Sequence, residues 1–320
     1  MNISIIIPNY NGAHLLTKNL PKVREAVKYY VKEHSSIAEI IIVDDASTDD
    51  SIQYIENQIS KIKNTDQKSE TEMLRLLVNT RNLGFSPTVN RGEKEAAGEI
   101  IILLNTDVVP EKDFLEPLLT HFKDENAFAV GCMDKSLENG KVVLRGRGEG
   151  HFERGFLVHR RGEVNKNNTL WVSGGSGAFR KSIWEKIGGL NELYAPFYWE
   201  DIDLSYRALK AGYKVLFEPK SIVVHEHEKG AIKERYSRFR IKTIAYRNQF
   251  IFMWSNITDF DLRLKHLLWL WYHFIKALLR GDMAFLIGFV KAFILLPKIK
   301  KRASIYRGLF IKLDRNTVNL

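Results

Sequence analysis

The sequence has little cysteine, no apparent signal peptide and no long apolar run, and each absence excludes a class of protein. Its single cysteine, Cys132, cannot form an internal disulfide or build a thiolate cage around a metal ion. We therefore predict a reducing compartment, most simply the cytoplasm. The first residues, MNISIIIPNYNG, have no basic segment ahead of their apolar run, which ends at Pro8. A secretory signal peptide is therefore not expected.

The longest apolar stretches lie near the C-terminus and are too short to span a membrane. Residues 262–279 and 283–296 have the pattern of strongly apolar helices, but neither contains 18 uninterrupted apolar residues. The second would be roughly 21 Å long as a helix, against a hydrocarbon core of roughly 30 Å. We do not expect these helices to cross a bilayer, whereas lying in its interface stays open.

Charge is distributed unevenly along a chain of otherwise ordinary composition. With 45% hydrophobic and 27% charged residues among 320, the chain is not disordered or fibrous. Residues 1–228 carry 29 Lys and Arg against 33 Asp and Glu, whereas residues 229–320 carry 19 against 5. The basic end predicts an anionic surface as partner. Because no nucleic-acid recognition motif accompanies it, we expect anionic lipid rather than nucleic acid.

The first 230 residues alternate short apolar runs with stretches of helical composition. Runs of about five mostly apolar residues suit strands buried on both faces of a parallel sheet. They occupy residues 3–7, 39–43, 74–78, 100–104 and 127–131, with helical patterns at 15–32, 51–63, 87–97 and 113–124. This rhythm predicts a doubly wound, mostly parallel α/β domain over residues 1–230, followed by a basic helical region over 231–320.

Ligands of such sheets bind at the carboxyl ends of the strands, and carboxylates follow two of the predicted strands. Asp44 and Asp45 end the second strand, and Asp107 follows the fourth in the tripeptide NTD. Paired carboxylates can accept hydrogen bonds from a base or a ribose, and a lone one can hold a divalent ion that bridges phosphates. The structural alternatives are a helix cap after Asp45 and an Asx turn at Asp107.

Two further segments carry candidate chemistry. The segment Trp199-Glu200-Asp201-Ile202-Asp203 places acids at a predicted helix start, where the helix dipole alone could account for them. The segment Gly174-Gly175-Ser176, which follows a strand-like run at residues 170–173, is either a plain turn or a place where backbone approaches a ligand closely.

Five segments occur together in a characteristic order: PNYNG, VDDASTD, the run from Asn82 to Gly92, NTD, and WEDID. In this order they resemble family 2 glycosyltransferases of the GT-A fold, and the chain is similar to the rhamnosyltransferase-like bacterial branch. The resemblance covers roughly residues 1–230. It implies an inverting transferase that uses a nucleotide-diphosphate sugar and a divalent cation, Mg²⁺ or Mn²⁺.

The resemblance also assigns roles to individual residues. Asp201 matches the family's general base, with Glu200 beside it, and Asp107 matches the residue that holds the metal and the diphosphate. The predicted nucleotide-binding residues are Pro8, Asn9, Tyr10, Asp44, Asp45, Asn82, Gly84, Asn105 and Thr106. The predicted sugar-binding residues, for donor or acceptor, are Gly174, Gly175, Ser176 and Trp199.

The metal site departs from the family pattern in one position. Asn105 stands where the family often has aspartate, so Asp107 is the only carboxylate of that motif. A histidine in an H-x-x-G setting often completes the family's site, and His227 fits that spacing. His225, two residues earlier, is the alternative ligand, and a pair of surface histidines is the structural alternative.

The basic C-terminal helices combine apolar faces, aromatic residues and the run KIKKR at 298–302. This combination is typical of a monotopic membrane anchor, whereas a homodimer interface or helices packed on the catalytic domain would also bury the apolar faces. The sequence thus predicts a glycosyltransferase acting on a lipid-linked or cell-surface polysaccharide acceptor, attached peripherally to the inner face of the cell membrane. The alternatives are a non-catalytic nucleotide-sugar-binding relative and an enzyme that synthesises nucleotide sugars.

Overall fold

The computed structural model describes residues 1–34, 36–63, 74–138, 141–225 and 235–318. Their strands are β1 (Ile3–Asn9), β2 (Ala38–Asp44), β3 (Leu74–Val78), β4 (Ile100–Leu104), β5 (Val108–Pro110), β6 (Ala127–Glu138), β7 (Lys141–Arg145), β8 (Gly148–Glu153), β9 (Phe156–Arg161), β10 (Ser176–Arg180) and β11 (Lys214–His225). Their helices are α1 (Ala13–His34), α2 (Ser51–Lys63), α3 (Phe85–Glu95), α4 (Leu115–Thr120), α5 (Lys181–Lys186), α6 (Glu200–Lys210), α7 (Arg238–Asn256), α8 (Phe260–Leu279), α9 (Met283–Ile294), α10 (Leu296–Arg307) and α11 (Asp314–Val318).

The central sheet has the strand order β3-β2-β1-β4-β10-β6-β11-β5, with β7 paired to β6. Strands β3, β2, β1 and β4 pair in parallel, as do β6 and β11. Strand β10 lies antiparallel between β4 and β6, and β8 and β9 form a separate hairpin. The predicted α/β class with a mostly parallel sheet is confirmed.

Alternation along each strand divides the apolar residues between two cores. In β1, Ile5 packs with α1 and α2 on one face of the sheet, whereas Ile6 packs with α3 and α6 on the other. Both side chains are fully buried, which is why β1 is apolar at every position from Ile3 to Ile7 except Ser4.

The sequence prediction was wrong around residue 175. Residues 170–173 are not a strand, and the glycine-containing segment that follows is not only a turn, because β10 begins at Ser176. Gly177 and Ala178 of β10 sit between β4 and β6, and a Cβ at position 177 would lie 2.2 Å from the Val172 side chain. Tertiary packing selects small residues here and overrides their low strand propensity.

The C-terminal helices join one of the two hydrophobic cores through α7 and α9. Phe250, Ile251 and Phe252 of α7 are fully buried in the core that also holds Ile6, and Phe285 of α9 joins them. Within the described ranges, no helix combines the length and apolar character needed to cross a bilayer.

Candidate active site

A cleft of about 450 Å³ opens at the carboxyl ends of β1, β2 and β4. Its wall also includes the start of α6 and the end of β11, so it lies where an open α/β sheet offers a ligand site. Fourteen predicted site residues line it: Pro8, Asn9, Tyr10, Asp45, Asn82, Gly84, Asn105, Thr106, Asp107, Gly174, Gly175, Glu200, Asp201 and His225. Asp44, Ser176 and Trp199 do not, and His227 lies outside the described residues.

The adjacent carboxylates Asp44 and Asp45 serve two different networks. Asp44 is fully buried, and it accepts hydrogen bonds from Asn9 Nδ2 at 2.7 Å and from the amide and hydroxyl of Ser47 at 2.8 and 2.6 Å. Asp45 accepts from the backbone amides of Leu83 and Gly84, both at 2.8 Å. Asp44 therefore joins Asn9 to the loop that contains Ser47. Asp45 fixes the segment before α3 in the cleft wall.

Asn9 leaves one acceptor available in the cleft wall. Its side-chain amide donates to Asp44, while its Oδ1 is buried and has no hydrogen-bond partner among the described residues. A Cβ at Gly12 would come within 2.4 Å of that oxygen, so glycine keeps the space beside it clear. A buried unsatisfied acceptor costs stability unless something donates to it, which suits an N–H or O–H of a ligand.

Glu200 and Asp201 begin α6 in the cleft wall, next to the turn at Gly174. The Ile202 amide donates to Asp201 Oδ1 at 2.8 Å, and Glu200 Oε2 is buried without a partner among the described residues. Burial raises the pKa of Asp201, and burial together with the Asp201 charge raises the pKa of Glu200 to about 8. One carboxyl of the pair is therefore protonated at neutral pH, and the other is a stronger base than an exposed aspartate.

Trp199 and Asp203 of the WEDID segment are structural. Trp199 is 6% exposed, and its ring packs against His159 and Phe252 with centroids 5.1 and 5.2 Å apart, so the core and not a sugar occupies its faces. Asp203 is fully buried and accepts hydrogen bonds from Arg207 Nε at 2.8 Å, Tyr194 Oη at 2.9 Å and Asn256 Nδ2 at 2.7 Å.

Asp203→Ala should lower the free energy of unfolding by about 3–5 kcal/mol, because it leaves the fully buried Arg207 guanidinium without its carboxylate. Urea denaturation followed by circular dichroism measures the change. Glu25→Ala is the matched control, since it breaks an exposed helical ion pair with Lys22 and should change the same free energy by less than about 1 kcal/mol. Equal changes in the two variants would contradict the structural role of Asp203.

Asp107 and His225 bring a carboxylate and an imidazole together. Asp107 Oδ2 lies 3.1 Å from His225 Nε2, and His225 Nδ1 lies 3.3 Å from Asp134 Oδ2. Burial by itself would lower the pKa of His225, but its hydrogen bonds to both aspartates raise that pKa to about 9. Within the described part of the chain, no group of three or more potential ligands forms a ready metal site.

The glycine turn lies against the NTD segment. The Asn105 amide donates to the Gly175 carbonyl at 2.9 Å, and a Cβ at Gly175 would lie 2.7 Å from Asn105 Nδ2. A Cβ at Gly174 would lie 3.0 Å from the ring of Phe85. The turn therefore needs small residues to bring its backbone between Asn105 and Asp201. Ser176, the next residue, is buried in β10.

Several residues of the cleft wall were missed at the level of sequence. Arg235 is the only lysine or arginine among the described lining residues, and its guanidinium lies 4.5 Å from the ring centroid of Tyr10. Tyr198 and Tyr236 also line the cleft. Arg235 has no motif of its own, and its proximity to Tyr10 comes from a contact between residues 225 positions apart.

Comparison with known proteins decides the family. The model of glycosyl transferase family 2 matches residues 4–188, and that of glycosyl transferase family group 2 matches residues 100–299. The chain belongs to glycosyl transferase family 2. It is a glycosyltransferase, as the sequence predicted, and rhamnosyltransferases are among its relatives.

The curated relatives of this glycosyltransferase are distant and longer. The O-antigen chain rhamnosyltransferase RfbN of Salmonella typhimurium is 24% identical over 232 residues, which are 71% of this chain and 67% of that protein. The pre-mycofactocin glycosyltransferase of Mycobacterium tuberculosis is also 24% identical, over 71% of this chain and 43% of its own length. The chain thus spans between two fifths and two thirds of these relatives.

Solved structures share the fold at low sequence identity. The crystal structure of S. aureus TarS 1–349 in complex with UDP-GlcNAc matches with a TM-score of 0.58 and 16% identity, over 97% of this chain and 90% of that one. GalNAc-T7 with UDP, GalNAc and Mn²⁺ matches with the same TM-score and identity, over 80% of this chain and 48% of that one. These likenesses confirm the GT-A fold.

Proposed function

We propose that this glycosyltransferase is inverting and moves a sugar from a nucleotide-diphosphate sugar to a hydroxyl of a lipid-linked or cell-surface polysaccharide acceptor. The observation that carries the proposal is the adjacent pair of the buried Glu200 and the partly buried Asp201, which lines the same cleft as Asp107 and His225. The O-antigen chain rhamnosyltransferase among the relatives supports the choice of a polysaccharide acceptor.

Asp201 is the proposed general base. Its carboxylate accepts the proton of the acceptor hydroxyl while that oxygen forms a bond to the anomeric carbon. The bond from the anomeric carbon to the diphosphate oxygen breaks, and the nucleoside diphosphate leaves with the electron pair. Glu200, with a pKa of about 8, keeps its proton at neutral pH and can donate a hydrogen bond to a substrate hydroxyl.

Asp107 and His225 are the proposed holders of a divalent cation, Mg²⁺ or Mn²⁺. Their facing oxygen and nitrogen, 3.1 Å apart, are a donor set that fits Mn²⁺, and Mg²⁺ would rely on Asp107 and on phosphate oxygens. The Mn²⁺ reported with GalNAc-T7 supports a divalent cation here. When bound, the cation would offset the negative charge that develops on the leaving diphosphate.

We assign the other lining residues to the nucleoside, the sugars and the phosphates of the substrates. We assign the nucleoside to the wall formed by Asn9, Tyr10 and Asp45, where Asn9 Oδ1 offers an unsatisfied acceptor. We assign the sugars to the turn at Gly174 and Gly175. The Arg235 guanidinium, above Tyr10, can pair with a phosphate oxygen.

A panel of nucleotide sugars tests the proposal, with thermal shift to report binding and release of the nucleoside diphosphate to report turnover, each with and without Mn²⁺. The proposal expects one donor to raise the Tm and to be turned over only in the presence of the cation. A donor that raises the Tm without ever being turned over, with any acceptor, would favour the non-catalytic binding relative.

Asp134 is the proposed positioning residue for His225, because an imidazole that binds a metal through Nε2 is commonly oriented by a carboxylate on Nδ1. Asp134→Asn should weaken Mn²⁺ binding about 10–100-fold. Calorimetric titration of Mn²⁺ into the nucleotide-bound protein measures this. Ser136→Ala is the control, since it removes only the hydroxyl that donates to the other oxygen of Asp134 at 3.0 Å. Unchanged Mn²⁺ affinity in Asp134→Asn would contradict the role.

We also propose a division of labour in which residues 1–230, together with Arg235 of the following segment, catalyse transfer, and the rest of residues 231–320 attaches the enzyme peripherally to the inner face of the cell membrane. A lipid-linked acceptor is confined to a bilayer, so attachment would keep the cleft near its substrate.

A further inference from the structure

The outward face of α8 is apolar along its whole length. Its exposed side chains recur every three or four residues and so form one stripe: Phe260, Leu264, Leu267, Leu268, Trp271, Ile275, Leu278 and Leu279. Trp271 is 74% exposed and Leu279 is 83% exposed. Apolar side chains exposed singly are common on folded proteins, whereas a contiguous exposed apolar stripe marks an interaction site.

The inner face of α8 is fixed by specific hydrogen bonds, so the apolar stripe is held outward. The Trp254 indole donates to His266 Nε2 at 3.0 Å, and His266 Nδ1 then donates to the Gly155 carbonyl at 2.8 Å. His273 Nε2 lies 2.9 Å from the Arg154 carbonyl. These contacts anchor α8 on the β8–β9 turn, and rotating the stripe inward would break all of them.

Helix α9 continues the exposed apolar surface. Phe274 of α8 and Phe289 of α9 pack with ring centroids 4.8 Å apart, which holds the two helices together. Met283, Val290 and Ile294 of α9 are each more than half exposed and recur at helical spacing. We call the exposed apolar side chains of α8 and α9 the outer face.

Basic residues accompany the outer face, and its few acids are already paired. Residues 260–302 contain nine Lys and Arg against two Asp and Glu. Asp261 is bonded to Arg315 at 2.9 Å, and Asp282 is bonded to Lys242 at 2.9 Å. Arg263 and Lys265 are exposed and lie about 100° to either side of Leu264 on the helix. Their aliphatic stems can follow the apolar stripe while their charged ends reach lipid phosphates.

We propose that the outer face docks on an anionic lipid bilayer, with α8 lying in the plane of the interface. Charge decides between this occupant and a second copy of the chain, because two copies would bring their excess of basic residues together. An anionic bilayer instead satisfies both the apolar stripe and its basic flanks. This inference rests on the proposed function in one respect: a lipid-linked acceptor would meet the enzyme at the bilayer surface.

Co-sedimentation of the full chain with vesicles tests the proposal. Neutral vesicles contain phosphatidylcholine alone, and anionic vesicles contain phosphatidylcholine with roughly 30% phosphatidylserine. Replacing Lys298, Lys300 and Lys301 with glutamine should weaken binding to the anionic vesicles about 100-fold and barely change binding to neutral ones. Trp271→Gln with Leu268→Gln should weaken binding to both kinds. High salt should weaken only the electrostatic part, since the Debye length falls to about 3 Å at 1 M.

The matched control replaces the exposed Lys32, Lys61 and Lys94 with glutamine, which makes the same change in net charge away from the C-terminal helices. This control should change vesicle affinity less than about 3-fold, because charge beyond a Debye length is screened. An equal loss in both triple variants, or a full chain that stays in the supernatant with anionic vesicles at low salt, would overturn the proposal. So would a stable dimer that the Trp271→Gln and Leu268→Gln changes dissociate.

Transfer to a water-soluble acceptor, measured on the same variants, separates this inference from the proposed function. Variants that lose vesicle binding should keep that transfer, because their substitutions lie outside the cleft. Transfer without vesicle binding by the native chain would refute the membrane face and the proposed attachment, and it would leave the proposed transfer reaction standing. Vesicle binding without turnover of any donor would refute the proposed function alone.

Discussion

Asp201→Asn should lower kcat for transfer by roughly 10²–10⁴-fold while the affinity for the donor changes little. The amide of asparagine keeps the size of the side chain and can still accept from the Ile202 amide, but it cannot take a proton from the acceptor hydroxyl. Steady-state kinetics with saturating donor, together with a thermal-shift titration of the donor, measure the two effects separately.

The control for this variant is Asp124→Asn, the same chemical change at a carboxylate that does not line the cleft and instead pairs with Lys214 at 2.7 Å. It should leave kcat within a factor of about 2, in line with a surface change. Asp201→Asn with most of its activity intact would remove Asp201 as the base and would leave Glu200 as the carboxyl to test next.

The pH profile of the native enzyme should also report the ionisation of the general base. A general base must be ionised, so kcat/KM should fall as the pH falls through the pKa of Asp201. Burial raises that pKa, so the fall should begin above the ordinary aspartate value of about 3.9. The Asp124→Asn variant should keep the native profile.

The fold could be predicted from the sequence largely because buried parallel strands are apolar at consecutive positions. Ile3 to Ile7 and Ile100 to Leu104 are such runs, and the observed strands contain both. Strand β10 escaped this rule, because its Ser176-Gly177-Ala178 start has the composition of a turn. Its place in the middle of the sheet is set by the close contacts of Gly177 with its neighbours, which a local pattern does not encode.

The edge of the sheet that holds the candidate site was also predictable, but the direction of each side chain was not. Asp44 and Asp45 are adjacent and chemically identical, yet only Asp45 lines the cleft, because Asn9 and Ser47 surround the carboxylate of Asp44. That choice depends in part on the hydrogen bond between Asn9 and Asp44, which are 35 positions apart.

Asp134 shows the same limit at longer range. It meets His225 because β6 and β11 pair in parallel, with Asp134 opposite Val223. The two residues are 91 positions apart, and the pairing of two particular strands has no local signal. The motifs therefore pointed to Asp107 and to His227, with His225 as the alternative ligand, but not to Asp134, the carboxylate that contacts the imidazole of His225.

Asp107→Ala should weaken the binding of Mn²⁺ more than about 10–100-fold, the loss typical of a residue that only hydrogen-bonds to a metal ligand. Asp107 is a direct ligand in the proposed site and the only carboxylate of the NTD segment. The loss should extend to the nucleoside diphosphate only when the cation is present, since binding of the two is reciprocally coupled through shared oxygens. Calorimetry of the diphosphate with and without Mn²⁺, on native and variant protein, measures the coupling.

Without the cation, native protein and Asp107→Ala should bind the nucleoside diphosphate equally, whereas with it only the native protein should gain affinity. Removal of the cation by a chelator should inactivate the native enzyme, and added Mn²⁺ should restore it. Asp113→Ala, at an exposed carboxylate in the connection between β5 and α4, is the control and should match the native protein in all of these measurements. Full activity after exhaustive chelation would contradict the cation site. Arg235 would then have to offset the negative charge of the leaving diphosphate, because it is the only lysine or arginine among the described residues that line the cleft. In that case Arg235→Gln should abolish transfer.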